Sequence, residues 1–86
     1  MYPKLCSKSW VGKELKKKIE NREPLERIGA WMYEIHLDCG REFGEQLQSL
    51  FLDLAMMELG EGFFKTYEEL DQIADELIAG KEPHLK

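Results

Sequence analysis

The side chains best suited to bind a metal ion cluster near the middle of the chain. His36, Cys39 and Glu42 follow one another at intervals of three residues, with Glu34 and Asp38 close by. A structural zinc site needs four ligands in paired spacings, and a di-iron bundle needs Glu-x-x-His on two helices. Glu34 and His36 are only two residues apart, so on a helix they face different directions. We therefore predict no metal and no cofactor, and interpret His36 as half-exposed and Cys39 as a core residue.

Neither cysteine has the setting of a catalytic nucleophile. A reactive thiol must be stabilised as the thiolate by a cation, a base or a helix N-terminus, whereas Cys39 is predicted near a helix C-terminus, where the dipole opposes the thiolate. The sequence also has no glycine-rich phosphate loop and no Gly-x-Ser-x-Gly motif. We therefore expect that the protein is not an enzyme.

The cysteine count and the apolar segments predict a soluble, cytoplasmic protein. Cys6 and Cys39 are too few for the disulfide framework of a small secreted domain. The first residues lack the apolar region of a secretion signal. The most apolar window, residues 50–59, contains Asp53 and Glu58 and is far shorter than the roughly 20 residues that cross a bilayer. We expect no membrane association.

Charge is distributed unevenly along the chain. Residues 1–22 carry seven Lys or Arg against two Glu, whereas residues 23–86 carry five basic against fifteen acidic side chains, so the net charges are +5 and −10. A basic stripe near the N-terminus could contact phosphates; it consists of Lys8, Trp10, Lys13, Lys16, Lys17 and Lys18. No element resembles a recognition helix, and the acidic remainder would repel nucleic acid. We predict a solvated lysine face and no nucleic-acid partner.

The last predicted helix carries acidic side chains in stripes. Glu68, Asp71 and Asp75 share one outward face, and Glu69 shares another with Glu76. Each pair of like charges four residues apart costs about 0.2–0.5 kcal/mol in an isolated helix. The stripes therefore either serve solubility alone or are kept for a basic partner, whose association they would steer.

Aromatic residues beside the acidic stripes are candidate anchors for such a partner. Trp31, Tyr33, Phe63, Phe64 and Tyr67 are of the types that dominate binding hot spots, although they could equally form a second layer of the core. The predicted partner-binding residues combine acidic side chains with one aromatic: Glu61, Tyr67, Glu68, Glu69, Asp71 and Asp75.

Hydrophobic periodicity predicts four helices and no strand. They span about residues 9–20, 24–40, 41–59 and 66–80, and the last begins with a capping box at Thr66 and Glu69. We expect Gly29 to let another helix approach and Gly40 to close the second helix in a left-handed conformation. Since 86 residues leave room for one hydrophobic core, the fold class is an all-α, single-domain compact bundle of four helices, with a core of about residues 9–80 and a polar tail of 81–86.

Four segments, taken in order, resemble a protein family. They are Ile19-Glu-Asn-Arg-Glu-Pro-Leu-Glu-Arg-Ile28, Trp31-Met-Tyr33, Leu50-Phe-Leu-Asp-Leu-Ala-Met-Met-Glu-Leu-Gly60 and Thr66-Tyr-Glu-Glu-Leu70. Over about residues 13–80 the chain resembles the small, acidic, four-helix bacterial immunity proteins of the colicin D type and of related contact-dependent inhibition systems. The resemblance implies a cytosolic antidote that binds a basic nuclease toxin and covers its active site with acidic side chains. Because such a surface does not need a Lys-rich first helix, we expect that helix to lie away from the interface.

Two hypotheses about function follow. The first is a protein-binding inhibitor, most concretely an immunity protein that neutralises a basic, nuclease-type toxin through an acidic surface. The alternative is a small helical structural or regulatory module that self-associates through a wide apolar face formed by Phe51, Leu52 and Met56. The predicted oligomeric state is a monomer or weak homodimer.

Overall fold

Helices make up most of the part of the chain that the computed structural model describes, residues 7–81. Helix α1 spans Lys8–Glu20, α2 Leu25–Cys39, α3 Glu45–Ala55 and α4 Tyr67–Ile78, and short 3-10 turns lie at Gly40–Glu42, Met56–Leu59 and Glu61–Phe63. Within this described part there is no strand. The prediction of an all-α, single-domain bundle of four helices is confirmed. The predicted polar tail lies outside the described residues, except for Lys81.

Side-chain caps fix the starts of the first and last helices. The Ser7 hydroxyl accepts a hydrogen bond from the Trp10 backbone N–H at 3.1 Å. At α4 the predicted capping box is present, because the Thr66 hydroxyl accepts from the Glu69 N–H at 3.0 Å and the Glu69 carboxylate accepts from the Thr66 N–H at 3.1 Å. These bonds satisfy N–H groups that the first turn of a helix leaves unpaired.

The third helix is shorter than predicted. Instead of one helix over residues 41–59, the chain forms a 3-10 turn, becomes extended at Phe43 and Gly44, and is α-helical only over Glu45–Ala55 before it tightens into a second 3-10 turn. The extended backbone places Phe43 edge-on to Phe51, with ring centroids 5.3 Å apart, and both rings are buried. Burial of two aromatic rings therefore interrupts a segment whose periodicity alone favours one continuous helix.

Gly40 does not close α2 as predicted. Its φ of −54° and ψ of −36° are right-handed and helical, because the chain continues directly into the 3-10 turn. The positive φ values among the described glycines occur at Gly60 and at Gly80, where α4 was predicted to end. A left-handed residue is thus needed after Leu59 and after α4, but not after α2.

The helices are arranged as two packed pairs. Helix α1 packs against α4, and α2 packs against α3 and the turn that follows α3. Two glycines allow these close approaches: a Cβ atom on Gly12 would lie 2.7 Å from the Ala74 carbonyl oxygen, and one on Gly29 would lie 2.6 Å from the Glu58 backbone nitrogen. The prediction for Gly29 is confirmed. The buried apolar residues between the pairs form one continuous cluster.

The cysteine prediction needs a correction. Cys39 is fully buried, as expected of a core residue, but it is disulfide-bonded. The sequence holds one other cysteine, Cys6, which lies outside the described residues. Cytosolic proteins rarely keep a stable disulfide. The predicted cytoplasmic location therefore loses the support that unpaired cysteines would have given it.

The close approach at Gly29 gives a test with a matched control. Gly29→Ala should lower the free energy of unfolding by about 1–3 kcal/mol, because the new methyl group would overlap the backbone of the turn after α3. Gly40→Ala should leave stability unchanged or raise it by up to about 1 kcal/mol, because Gly40 is helical and nothing lies within 4 Å of a Cβ there. Chemical denaturation of both variants measures the difference, and a destabilised Gly40→Ala protein would contradict the right-handed conformation.

Candidate functional site

The acidic stripe on α4 is partly neutralised from within the chain. The Lys16 ammonium group lies 2.7 Å from an Asp75 carboxylate oxygen and 3.2 Å from one of Asp71. These hydrogen bonds, to Asp75 first and then Asp71, raise the pKa of Lys16 above its ordinary value of 10.5. The Lys-rich helix therefore lies against this acidic stripe, and reversing both aspartates would also remove the ion pairs between α1 and α4.

Two more of the predicted binding residues have internal roles. The Glu69 carboxylate belongs to the capping box of α4. The Tyr67 hydroxyl donates a 2.7 Å hydrogen bond to the Glu23 carbonyl oxygen, and the Arg22 guanidinium lies 5.0 Å from the centre of the Tyr67 ring. A tyrosine held in this way fastens α4 to the segment after α1, so the hydroxyl is already satisfied.

The last two of the predicted binding residues are Glu68 and Glu61. Glu68 is exposed, and no ion pair to it is found among residues 7–81. The backbone of Glu61 belongs to the last 3-10 turn, but its side chain lies outside the described part of the structure. Among the predicted acidic residues whose side chains are described, Glu68 alone combines exposure with the lack of an internal partner.

The lysines of α1 contribute to intramolecular contacts. The Lys18 ammonium lies 5.0 Å from the centre of the Trp31 ring, which joins α1 to α2. Lys17 pairs with Glu14 at 3.0 Å, and Lys8 donates to the Gly80 carbonyl oxygen at 3.3 Å. The basic stripe therefore connects α1 to its neighbours on both sides as well as facing solvent.

The candidate metal donors are not brought together. Cys39 is disulfide-bonded, and no group of three or more His, Cys, Asp or Glu within residues 7–81 is placed to hold a metal ion. The His36 ring is half-buried and stacks beside Tyr33 with centroids 6.4 Å apart, and its Nδ1 atom is buried without a hydrogen-bond partner. Its surroundings are those of a packed side chain.

The two halves of the molecule differ in net charge. The α1–α4 half, residues 7–23 and 64–81, carries eight basic and eight acidic side chains and is neutral. The α2–α3 half, residues 24–63, carries eight carboxylates against two arginines, a net charge of −6. Lys65, counted in the α1–α4 half, pairs with Asp53 of α3 at 3.5 Å. The acidic character of the described residues therefore lies mainly, but not completely, in the half opposite the predicted stripe.

The α2–α3 half also carries the exposed apolar side chains. Every large apolar residue that is exposed in the described structure lies there: Tyr33, Leu37, Leu52, Leu59 and Phe63, which are between 42% and 71% exposed. Of the three residues expected to drive self-association, Leu52 is exposed, Met56 is half-buried, and Phe51 is completely buried. Neighbouring exposed apolar side chains of this kind mark surfaces for binding.

A groove follows the seam between α2 and the α3 segment. Its central depression, of about 250 Å³, is lined by Tyr33, Leu52, Ala55, Met56, Glu58 and Leu59. A second depression of about 440 Å³ shares Tyr33 and Glu58 and extends toward Trp31 and Arg27. A third, of about 290 Å³, shares Leu52 and extends toward His36 and Glu45. We call these three adjoining depressions the α2–α3 groove.

Sequence reasoning found Tyr33 and Leu52 but not the groove that joins them. Leu59 ends the long helix predicted over residues 41–59, but it lies in a 3-10 turn and its side chain is 71% exposed. The signal available in the sequence was Gly60, which is placed to end a helix. The net charge of −6 on residues 24–63 can be read from the sequence, but the neutrality of the other half appears only when residues 7–23 and 64–81 are grouped by packing.

No protein-family model, curated protein or solved structure matches this chain. The resemblance to immunity proteins therefore stays a prediction. None of the helices within residues 7–81 has the length and apolar character needed to cross a bilayer.

The ion pairs of Lys16 with Asp71 and Asp75 should stabilise the folded protein at neutral pH, where Lys16 is charged, but not at strongly alkaline pH. Because the folded state raises the pKa of Lys16, its contribution is complete below the ordinary value of 10.5 and is lost as pH rises through the folded value. We expect Lys16→Met to be less stable than the natural protein at pH 7, and the difference to shrink above about pH 10.5. Urea denaturation across this pH range measures it.

Lys13→Met is the matched control for this measurement. Lys13 is an exposed lysine on the same helix, and no ion pair to it is found among residues 7–81. Its replacement should change stability less at pH 7. Equal effects of the two substitutions at every pH would contradict a specific role for the Lys16 pairs.

Proposed function

We propose that this chain is a protein-binding inhibitor of the immunity type, which neutralises a basic, nuclease-type toxin by covering its active site with an acidic surface. The observation that carries the proposal is that net negative charge and exposed apolar side chains coincide on the α2–α3 half. Charge of one sign accelerates encounter with an oppositely charged partner, and apolar anchors hold the complex after encounter.

The geometry favours the α2–α3 half over α4 as the binding surface. On α4 the carboxylates of Asp71 and Asp75 already share Lys16, so a partner would have to compete with an internal ammonium group. On the α2–α3 half, Glu34 and Glu58 are exposed beside the groove, and no ion pair to either is found among the described residues. Carboxylates without an internal cation are the better acceptors for lysines and arginines of a partner.

Self-association is the second candidate function, and the exposure of Leu52 is the observation in its favour. Two copies joined through this surface would bring together two halves of net charge −6. Like charges across an interface oppose association, most strongly at low ionic strength. A basic partner therefore fits the surface better than a second copy.

Capture from the native lysate tests the proposal, with the full chain immobilised. A basic protein should bind at about 0.1 M salt and be released near 1 M, because the Debye length falls from about 10 Å to about 3 Å. The released protein should have nuclease activity that the purified chain inhibits stoichiometrically. An acidic or salt-insensitive partner, or an undiminished nuclease activity, would contradict the proposed function.

Charge-reversal variants locate the binding surface. Glu34→Lys combined with Glu58→Lys should weaken capture by at least about tenfold, since it replaces two acceptors by two repelling cations. The matched control is Glu20→Lys combined with Glu68→Lys, which makes the same change in net charge at exposed positions of the α1–α4 half. Circular dichroism should show unchanged helicity in both. If the control variant loses more affinity than Glu34→Lys with Glu58→Lys, the partner binds the α1–α4 half instead.

A further inference from the structure

We infer that the α2–α3 groove binds an amphipathic helix of the basic partner, one with apolar side chains along one face and Lys or Arg on both edges. The inference rests on the proposed function and adds the mode of recognition. Three features argue for it: the shape of the groove, its apolar floor and the charge of its rims.

The groove has the shape that a helix needs. The short connection of residues 40–44 makes α2 and α3 antiparallel neighbours. Their inner sides cover the core, and their outer seam carries the three depressions in series, joined through Tyr33, Glu58 and Leu52. A third helix laid along a seam between two helices packs at about 8–10 Å from each, with side chains entering the depressions.

The floor of the groove is apolar where contact would be closest. In the central depression Leu52 is 45% exposed and Leu59 is 71% exposed, with Met56 half-buried between them. Each of these side chains would lose contact with water under a helix that presents Leu or Phe at positions i, i+3 or i+4, and i+7. One buried core residue, Ala55, also lines the central depression.

The rims of the groove are mainly acidic. Glu58 borders the central and second depressions, Glu34 borders the second and Glu45 the third. Glu23 and two cations, Lys18 and Arg27, also line the second depression, so carboxylates outnumber cations around the groove. A helix that carries lysines or arginines beside its apolar face would place them next to these carboxylates. A second copy of this chain presents the same acidic rim, so charge selects the basic partner helix as the occupant.

A synthetic peptide tests this inference without the natural partner. The probe is a labelled helix of about 18 residues, about 27 Å long, with Leu at helical spacing and Lys at the flanking positions. A peptide of the same composition, reordered so that its leucines surround the helix, is its control. Fluorescence anisotropy with the full chain should show at least about tenfold weaker binding of the reordered peptide.

Substitutions on the chain separate the apolar floor from general charge attraction. Leu52→Asn and Leu59→Asn should each lower the affinity for the amphipathic peptide by about tenfold. Leu37→Asn should leave its affinity unchanged, because Leu37 is 64% exposed on the same half but does not line the groove. All three residues are exposed, so the variants should keep the natural helicity.

Nuclear magnetic resonance shift mapping completes the test. Amide shifts on peptide addition should concentrate on residues 30–36 and 48–59, whereas shifts concentrated on α4 would overturn the inference.

The oligomeric state gives another outcome. If the natural chain is a dimer and Leu52→Asn makes it a monomer, the groove binds a second copy and the inference is overturned. If Glu34→Lys with Glu58→Lys abolishes peptide binding while the leucine variants bind normally, the helix-in-groove mode fails and acidic docking stands. If the lysate yields no basic partner but the peptide binds as expected, the proposed function fails and the groove stands.

Discussion

Close contact between the first and last helices decides how charge is distributed over this protein. At Gly12 the backbone of α1 approaches α4 so closely that a methyl group would overlap the Ala74 carbonyl. This approach places Lys16 between Asp71 and Asp75, and the half formed by α1 and α4 becomes neutral. The sign of the molecular surface therefore depends on which helices pack together, because packing decides which opposite charges meet.

A second consequence concerns the α2–α3 pair. With α1 and α4 packed against each other, the core lies between the two pairs, and no further helix within residues 7–81 covers the outer seam of α2 and α3. A chain of 86 residues cannot bury every apolar side chain, since small domains have a high ratio of surface to volume. Three of the five exposed large apolar side chains, Tyr33, Leu52 and Leu59, line that seam, whereas Leu37 and Phe63 line none of its depressions. Exposed apolar side chains that adjoin one another are typical of surfaces for binding, whereas single ones are common on any protein.

The two surfaces also differ in how ready they are to bind. The carboxylates of α4 serve the structure, as an acceptor pair for Lys16 and as the capping group Glu69, so binding there would compete with folding. The groove combines an apolar floor with rims on which carboxylates outnumber cations. In protein complexes generally, complementary charge raises the rate of encounter, and the contacts formed after encounter set the lifetime of the complex.

The sequence alone determined the helical class, the number of helices, the Thr66–Glu69 cap and the glycine contact at Gly29, because local periodicity and capping act within a few residues. It also identified Tyr33 and Leu52 as residues of interest. Only the tertiary structure decided the break at Phe43 and Gly44, the right-handed Gly40, the pairing of Lys16 with Asp71 and Asp75, and the groove. These features depend on contacts between residues far apart in the chain. Helical periodicity indicates which face of a helix turns inward, but not which neighbour it meets.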